Sequence, residues 1–282
     1  MNPNTRKLHD LGQRLWLDNI SRELLTSGTL ARYIADLSVT GLTSNPTIFE
    51  HAIASGNSYD GAIQKLAARG LTGEALFFEL ALDDLTQAAD LFRPIFDASE
   101  GSDGWVSLEV SPLLANDTAG TTQAAARLHA RAARPNLFIK IPGTPEGIPA
   151  IEQSIFASDR WHKLAAAGAR PQRLLWASTG SKDPAAPDTF YVEALAAPGT
   201  INTIPEKTLL AFGDHGKLGA SLPADGGFAE AVLEEFRREG VDDEALAARL
   251  QREGVQAFAN SWSGLMARIQ EKSSQPAAPR AA

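Results

Sequence analysis

Two hydrophobic rhythms alternate along this 282-residue chain. Compact apolar runs such as Leu15-Trp16-Leu17, Val106-Ser107-Leu108 and Leu137-Phe138-Ile139 have the length and residue types of strands. Between them apolar residues recur every three or four positions, the helical period. The pattern predicts six strands, at Arg14–Ile20, Val39–Asn45, Trp105–Ser111, Leu137–Pro142, Arg173–Ala177 and Thr200–Thr203. Helical spacing covers Ser21–Ala35, Ser58–Arg69, Thr72–Asp97, Thr118–Ala133, Gly226–Glu239, Asp242–Glu253 and Val255–Lys272, with cap signals such as Asn116-Asp117-Thr118. Pro94 is expected to interrupt the long third helix, Gly213-Asp214-His215-Gly216 to form a turn, and the Pro/Ala-rich Ser273–Ala282 to be disordered. Strands alternating with helices imply parallel strands joined by helical crossovers, an α/β fold. No repeat or interior linker divides residues 1–272, which read as one domain.

Composition then narrows the class. A chain of this length, 44% hydrophobic and 21% charged, can bury the core of a soluble globular enzyme. A formal net charge of −8 and a pI near 5.2 argue against a general nucleic-acid or anionic-membrane surface, while leaving room for a local phosphate pocket. The absence of cysteine removes disulfides, thiolate nucleophiles and thiolate metal sites. The five histidines lack metal-ligand spacing and read as surface residues. Gly143-Thr144-Pro145-Glu146-Gly147 is too proline-rich for a nucleotide-binding fingerprint, so no cofactor is expected. Met1–Asp10 lacks the apolar core of a signal peptide, and no run approaches the roughly 20 apolar residues of a membrane span. The expectation is a cytoplasmic protein without nucleic-acid or membrane partners.

Candidate chemistry lies at the C-terminal ends of the predicted strands, where Asp18 and Asn19, Thr43-Ser44-Asn45, Glu109 and Ser111, Lys140 and Thr144, and Ser178 and Thr179 follow in succession. In a (β/α) barrel these ends converge on one mouth, where the chemistry is found. Strand ends are also simply close to water, the plainer reading of any single position. Lys140 is set within Phe138, Ile139 and Ile141. Apolar surroundings disfavour an ammonium, and a neutral amine attacks carbonyls, so Lys140 is a candidate Schiff-base nucleophile. The alternative is an edge strand whose lysine stem reaches out to water. Asp18 and Glu109, each flanked by apolar neighbours, supply two carboxylates that can move protons to and from substrate oxygens, or else complete a buried ion-pair network. Burial raises their pKa values and a lysine lowers them, so the net direction stays open at this level.

Several stretches together resemble the transaldolase family, most of all its longer bacterial members, over nearly the whole chain except the tail. They are Leu15-Trp16-Leu17-Asp18-Asn19-Ile20-Ser21, Gly41-Leu42-Thr43-Ser44-Asn45-Pro46-Thr47-Ile48-Phe49, Val106-Ser107-Leu108-Glu109-Val110-Ser111-Pro112 and Phe138-Ile139-Lys140-Ile141-Pro142-Gly143-Thr144. Leu174-Leu175-Trp176-Ala177-Ser178-Thr179-Gly180, followed by Lys182-Asp183-Pro184, and Thr203-Ile204-Pro205-Glu206-Lys207-Thr208 complete the likeness. The resemblance implies cofactor-free class I chemistry on a TIM (β/α)8-type barrel. It implies that Lys140 attacks the C2 carbonyl of a ketose phosphate and that Asp18 takes the C4 hydroxyl proton as the C3–C4 bond breaks. Asp18 would return the proton when the retained dihydroxyacetone unit adds to an aldose phosphate, and Glu109 would work through a water. Asn45 and Thr43 would hold the substrate, with Ser178 and Lys182 at its phosphate end. The implied donors are sedoheptulose 7-phosphate or fructose 6-phosphate, and the acceptors glyceraldehyde 3-phosphate or erythrose 4-phosphate, in the pentose phosphate pathway.

One departure from the family is large. A closed barrel needs eight strands in about 250 residues, and only six can be placed. After the lysine strand, Pro145–Phe156 reads as the start of the fourth helix and Ser158–Ala167 as the helix before the family's seventh strand, the two running together across Ala157-Ser158. The fifth and sixth β/α units are missing, about 80 residues at 30 to 40 per unit. With them go the family's Asn and Thr that position water and substrate, and the Ser and Arg groups that bind phosphate. The expectation is an incomplete barrel, closed as a six-stranded ring or left open with strand edges that invite a homo-oligomer. It would serve as a transaldolase, as an impaired relative binding sugar phosphates or a protein, or be an unstable deleted product.

Overall fold

The computed structural model describes residues 1–143, 159–168, 172–223 and 226–274. Within them six strands form one sheet: β1 (Arg14–Asp18), β2 (Val39–Thr43), β3 (Val106–Glu109), β4 (Leu137–Lys140), β5 (Leu175–Trp176) and β6 (Ile201–Ile204). Every pairing is parallel, and the order is β4-β3-β2-β1-β6-β5. Adjacent strands follow the chain from β1 to β4, after which β6 returns to the free side of β1 and β5 flanks it. The result is a curled half-barrel. Among the described residues β4 and β5 do not pair with each other, so the six-stranded ring does not close.

Helices α1 (Pro3–Leu11), α2 (Arg22–Thr26), α3 (Thr29–Asp36), α4 (Pro46–Ala54), α5 (Asp60–Ala68), α6 (Gly73–Ala98) and α7 (Thr118–Ala132) flank the first four strands. They are followed by α8 (Asp159–Ala166), α9 (Phe190–Ala194), α10 (Glu206–His215), α11 (Ala229–Arg238) and α12 (Asp243–Ser274). Strand side chains alternate between faces. Leu15 and Leu17 therefore join the core with Leu8 of α1 and Phe212 of α10, all four fully buried. Trp16 turns the other way, across β2, where a Cβ on Gly41 would stand 2.5 Å from the indole. Only glycine leaves room for that ring. The indole Nε1 donates to Asp103 Oδ1 at 3.3 Å, and Arg14 Nε lies 3.0 Å from Asp103 Oδ2.

Several expected elements are redrawn. The Ser21–Ala35 stretch divides into α2 and α3 at Ser27-Gly28, where Gly28 takes a left-handed φ of 75°. Pro94 does not end α6. It faces solvent, as does Asp90 four residues earlier, so the missing hydrogen bond leaves no buried carbonyl unpaired. Gly213, Asp214 and His215 are helical, and α10 ends at Gly216. The two helices expected beyond Asp242 merge into α12, whose interior holds Gly254 and Gly264 at about 1 kcal/mol each, and whose C-terminal half is fixed by burial of Trp262, Leu265 and Ile269. Ser273 and Ser274 remain in that helix, their hydroxyls donating to the carbonyls of Ile269 and Gln270. Residues 275–282, Thr144, the Pro145–Phe156 helix start and the Ala157-Ser158 junction lie outside the described residues. Unforeseen are α1, α4, α9 and α10, the first two opened by an Asn-Pro pair. Asn2 accepts from the amides of Asn4 and Thr5, and Asn45 from Ile48.

The C-terminal half of α12 packs on α4, α5 and α6, burying Trp262, Leu265 and Ile269. Its first half and α11 leave Phe228 (85%), Phe236 (55%) and Leu250 (58%) exposed. No helix among the described residues is long and apolar enough to cross a membrane.

Candidate functional site

All six strands point the same way, so their C-terminal ends share one rim of the half-barrel. Asp18 ends β1 and stands in register with Thr43 at the end of β2. Thr43 Oγ1 donates to Asp18 Oδ1 at 2.8 Å and also hydrogen-bonds Thr203 Oγ1 from β6. Glu109 ends β3 and stands in register with Lys140 at the end of β4. Alternation carries both side chains to the same face, where the Glu109 carboxylate pairs directly with the Lys140 ammonium.

The electrostatics link the two pairs. Burial pushes the Asp18 carboxyl above its ordinary value, opposed by the Thr43 hydrogen bond and by the charge of Lys140. Burial likewise raises Glu109, opposed by Lys140 and reinforced by the negative charge of Asp18. The direction left open by the sequence is thus upward for both acids, because loss of water outweighs the lysine.

Lys140 itself departs from expectation. Its side chain is 45% exposed, against 15% for Glu109. Ile139 and Ile141 project to the opposite face, β4 is the margin of the sheet, and Ile141 is 54% exposed. The amine is paired with a carboxylate and open to solvent rather than enclosed by an apolar sleeve, in the manner of the edge-strand alternative.

The substrate-binding candidates divide. Asn45 Oδ1 is used to cap α4, at 2.9 Å from the Ile48 amide, which leaves the Nδ2 amide to meet a ligand. Asn45 and Ser44 line a small cavity with Glu109 and Trp262. Ser178 and Lys182 follow β5 on the same rim, and both are exposed. Ser178 holds a left-handed φ of 56°. Five inter-strand steps separate β5 from β4, about 24 Å along the curved sheet, so no strand pairing ties these two residues to Lys140 and only the curl of the sheet turns them toward it across the mouth.

Other groups meet at the rim, among them Asn19 and Thr179, which the sequence placed at strand ends without a role, and Thr203 and Glu206, which it did not single out as site residues. Thr203 touches Thr43 across the sheet, and the Thr179 hydroxyl lies 2.8 Å from Asn202 Oδ1 and 3.2 Å from the Thr203 carbonyl. Their signal was the polar pair Asn202-Thr203 inside a fully buried strand. Asn19 Nδ2 donates to Glu206 at 2.8 Å, and the Tyr33 hydroxyl donates to the same carboxylate at 2.7 Å. Burial, with help from Glu206, pushes the Tyr33 phenol up to about 12. A cleft of about 280 Å³ opens beside Asn19, lined also by Ser21, Glu23, Ile48, His51, Ala52, Ser55 and Ser58. Among the described residues no three His, Asp or Glu side chains are grouped to hold a metal ion.

A family model described as Transaldolase/Fructose-6-phosphate aldolase matches residues 15–159 and 156–269, two stretches that meet around the Ala157-Ser158 junction. A transaldolase of Thermobifida fusca is 36% identical over 358 aligned positions, covering 95% of this chain and 97% of that protein. Transaldolases of Parafrankia sp. and Thiobacillus denitrificans are each 37% identical, over 363 and 355 positions, covering 95% and 94% of this chain and 98% and 99% of theirs. All three alignments are longer than the 282 residues available, so a block of each relative has no counterpart here. The identity, its extent and a parallel barrel sheet open between the strands on either side of that break show that this chain belongs to the Transaldolase/Fructose-6-phosphate aldolase family.

Proposed function

We propose that the protein transfers a dihydroxyacetone unit from a ketose phosphate to an aldose phosphate through an imine on Lys140. The observation that supports this reading best is the meeting of Asp18, Glu109 and Lys140 on one rim, with both carboxyls raised by burial and one in contact with the amine. Glu109 accepts the ammonium proton, and the freed amine attacks the C2 carbonyl. Loss of water from the carbinolamine gives the imine. Asp18, as carboxylate, takes the C4 hydroxyl proton while the C3–C4 bond breaks, and its electron pair passes into the imine to form an enamine. The aldose phosphate leaves, an acceptor aldehyde adds to the enamine carbon, and Asp18 returns its proton to the new hydroxyl. Water then hydrolyses the imine. A carboxyl raised by burial above its ordinary value suits both halves of this cycle. Thr43 holds Asp18, Asn45 Nδ2 meets substrate hydroxyls, and Ser178 with Lys182 receives the phosphate. Sedoheptulose 7-phosphate or fructose 6-phosphate is the donor, with glyceraldehyde 3-phosphate or erythrose 4-phosphate the acceptor, which places the reaction in the non-oxidative pentose phosphate branch.

A second reading, a relative that retains sugar-phosphate binding but transfers slowly, is favoured by the separation of Ser178 and Lys182 from Lys140 and by the exposure of that lysine. Incubation with fructose 6-phosphate and borohydride, followed by peptide mapping, distinguishes the two. The expected result is a reduced dihydroxyacetone adduct on Lys140 that is absent from Lys140→Ala. A folded protein that yields no adduct sinks the transferase reading and leaves the binding one.

A further inference from the structure

Asp18 is held through more than its own neighbour. Thr43 and Thr203 are 5% and 3% exposed, and they come from β2 and β6, the strands on either side of β1. The chain Asp18–Thr43–Thr203 therefore bridges the two flanks of the strand that carries the carboxyl. Its direction follows from counting protons. An ionised carboxylate only accepts, so the single proton of Thr43 goes to Asp18 Oδ1. The Thr43 oxygen is then an acceptor toward Thr203, whose own proton must point at it. Neither rotor retains a choice.

We propose that Thr203 is a positioning residue for Asp18, aiming the Thr43 hydroxyl at Oδ1 and so leaving Oδ2 as the oxygen that exchanges protons with substrate. Its catalytic meaning rests on the reading of Asp18 given above, but the contact itself does not. Because hydrogen bonds in series polarise one another, the Thr203 donor strengthens the Thr43 bond to the carboxylate. It opposes the upward push of burial, as Lys140 on β4 does, whereas Glu109 on β3 acts in the other direction. Glu206 on α10, held by Asn19 and Tyr33, is the further charged group at this corner of the rim.

The test is a carboxyl titration of protein labelled with carbon-13 at the aspartate carboxylates, the Asp18 signal being assigned by its loss in Asp18→Asn. Thr203→Val keeps the side-chain shape and removes the hydroxyl. The Asp18 midpoint should rise by about 0.4 pH unit, and Thr203→Ser should restore it. In a Thr43→Val background, Thr203→Val should shift nothing. Amide fingerprints establish folding, and Thr203→Ala replaces the valine variant if that does not fold. An unmoved midpoint in a folded variant overturns the proposal. So does a shift of equal size when Thr43 is already valine, since that would be packing alone. Borohydride trapping, read separately, reports on the transferase reading. A midpoint that moves in a protein that forms no adduct upholds the contact and rejects the reaction.

Discussion

Leu17 and Leu175 are the same residue type on parallel strands of one sheet, yet Leu17 is fully buried while Leu175 is half-buried beside Leu174, which is 58% exposed. The first sits on β1, enclosed by strands on both sides, and the second on β5 at the margin. The candidate site is divided along the same line. Asp18, Thr43 and Thr203 belong to three of the four strands that have a neighbour on each side and are tied by hydroxyls across them. Lys140 belongs to the opposite margin, paired with Glu109 and 45% exposed among the described residues. Opening a barrel therefore does not loosen a site evenly. It spares whatever is held by strands with two neighbours and frees whatever relied on the strand that is gone.

The contrast is broken or sharpened by measurement. Leu17→Ala should cost about 3 to 4 kcal/mol of unfolding free energy in urea titrations, and Leu175→Ala about 1, because the margin has little packing to lose. Equal costs would mean that the two regions unfold under the same constraint. Asp84→Ala should cost about 3 kcal/mol, since the fully buried Asp84 is bound by the Tyr59 hydroxyl at 2.7 Å and by Arg22, which the variant leaves with the exposed Asp83 in place of a buried carboxylate. Amide hydrogen exchange should be slower in β1 and β2 than in β4 and β5 by about a hundredfold or more, and comparable rates would remove the distinction. The smallest effect concerns Asp18→Asn. A carboxyl raised in the folded state binds protons more tightly than the unfolded chain, so its stabilisation is present below its ordinary value of 3.8 and is lost as pH rises through the raised value. The variant should gain on the wild type over that rise, by no more than about 1 kcal/mol, in thermal melts taken from acid to neutral pH. A constant difference would place the raised group elsewhere.

Much of this division was legible in the chain. All six strands were, five with ends overrun by one or two residues and the sixth displaced by one. The missing pair was visible as one helical pattern running into another at Ala157-Ser158, and the family match breaks there too. What eluded the sequence was cross-strand. Thr43 and Thr203 are 160 positions apart, and no local pattern couples them. Lys140 was misjudged because neighbours in sequence are not neighbours on a strand face. Ile139 and Ile141 flank it in the chain and point away from it in the fold. Ser178 and Lys182 were placed on the correct rim, but their separation from Lys140 depends on closure, which no single segment encodes.

The floor of the half-barrel, where Trp16 lies over Gly41 and binds Asp103 together with Arg14, is built by β1, β2 and the approach to β3. Among the described residues the bowl thus keeps its base, while its wall is unpaired between β4 and β5. For the proposed reaction this changes the competition at the carbon–nitrogen bond. A transferase must hold its carbanion equivalent dry until the second sugar arrives, and a lateral opening lets bulk solvent reach it first. Protonation and hydrolysis would then release free dihydroxyacetone in place of a longer ketose phosphate. The ratio of triose liberated to sugar transferred is accordingly a chemical gauge of how wide the wall stands open.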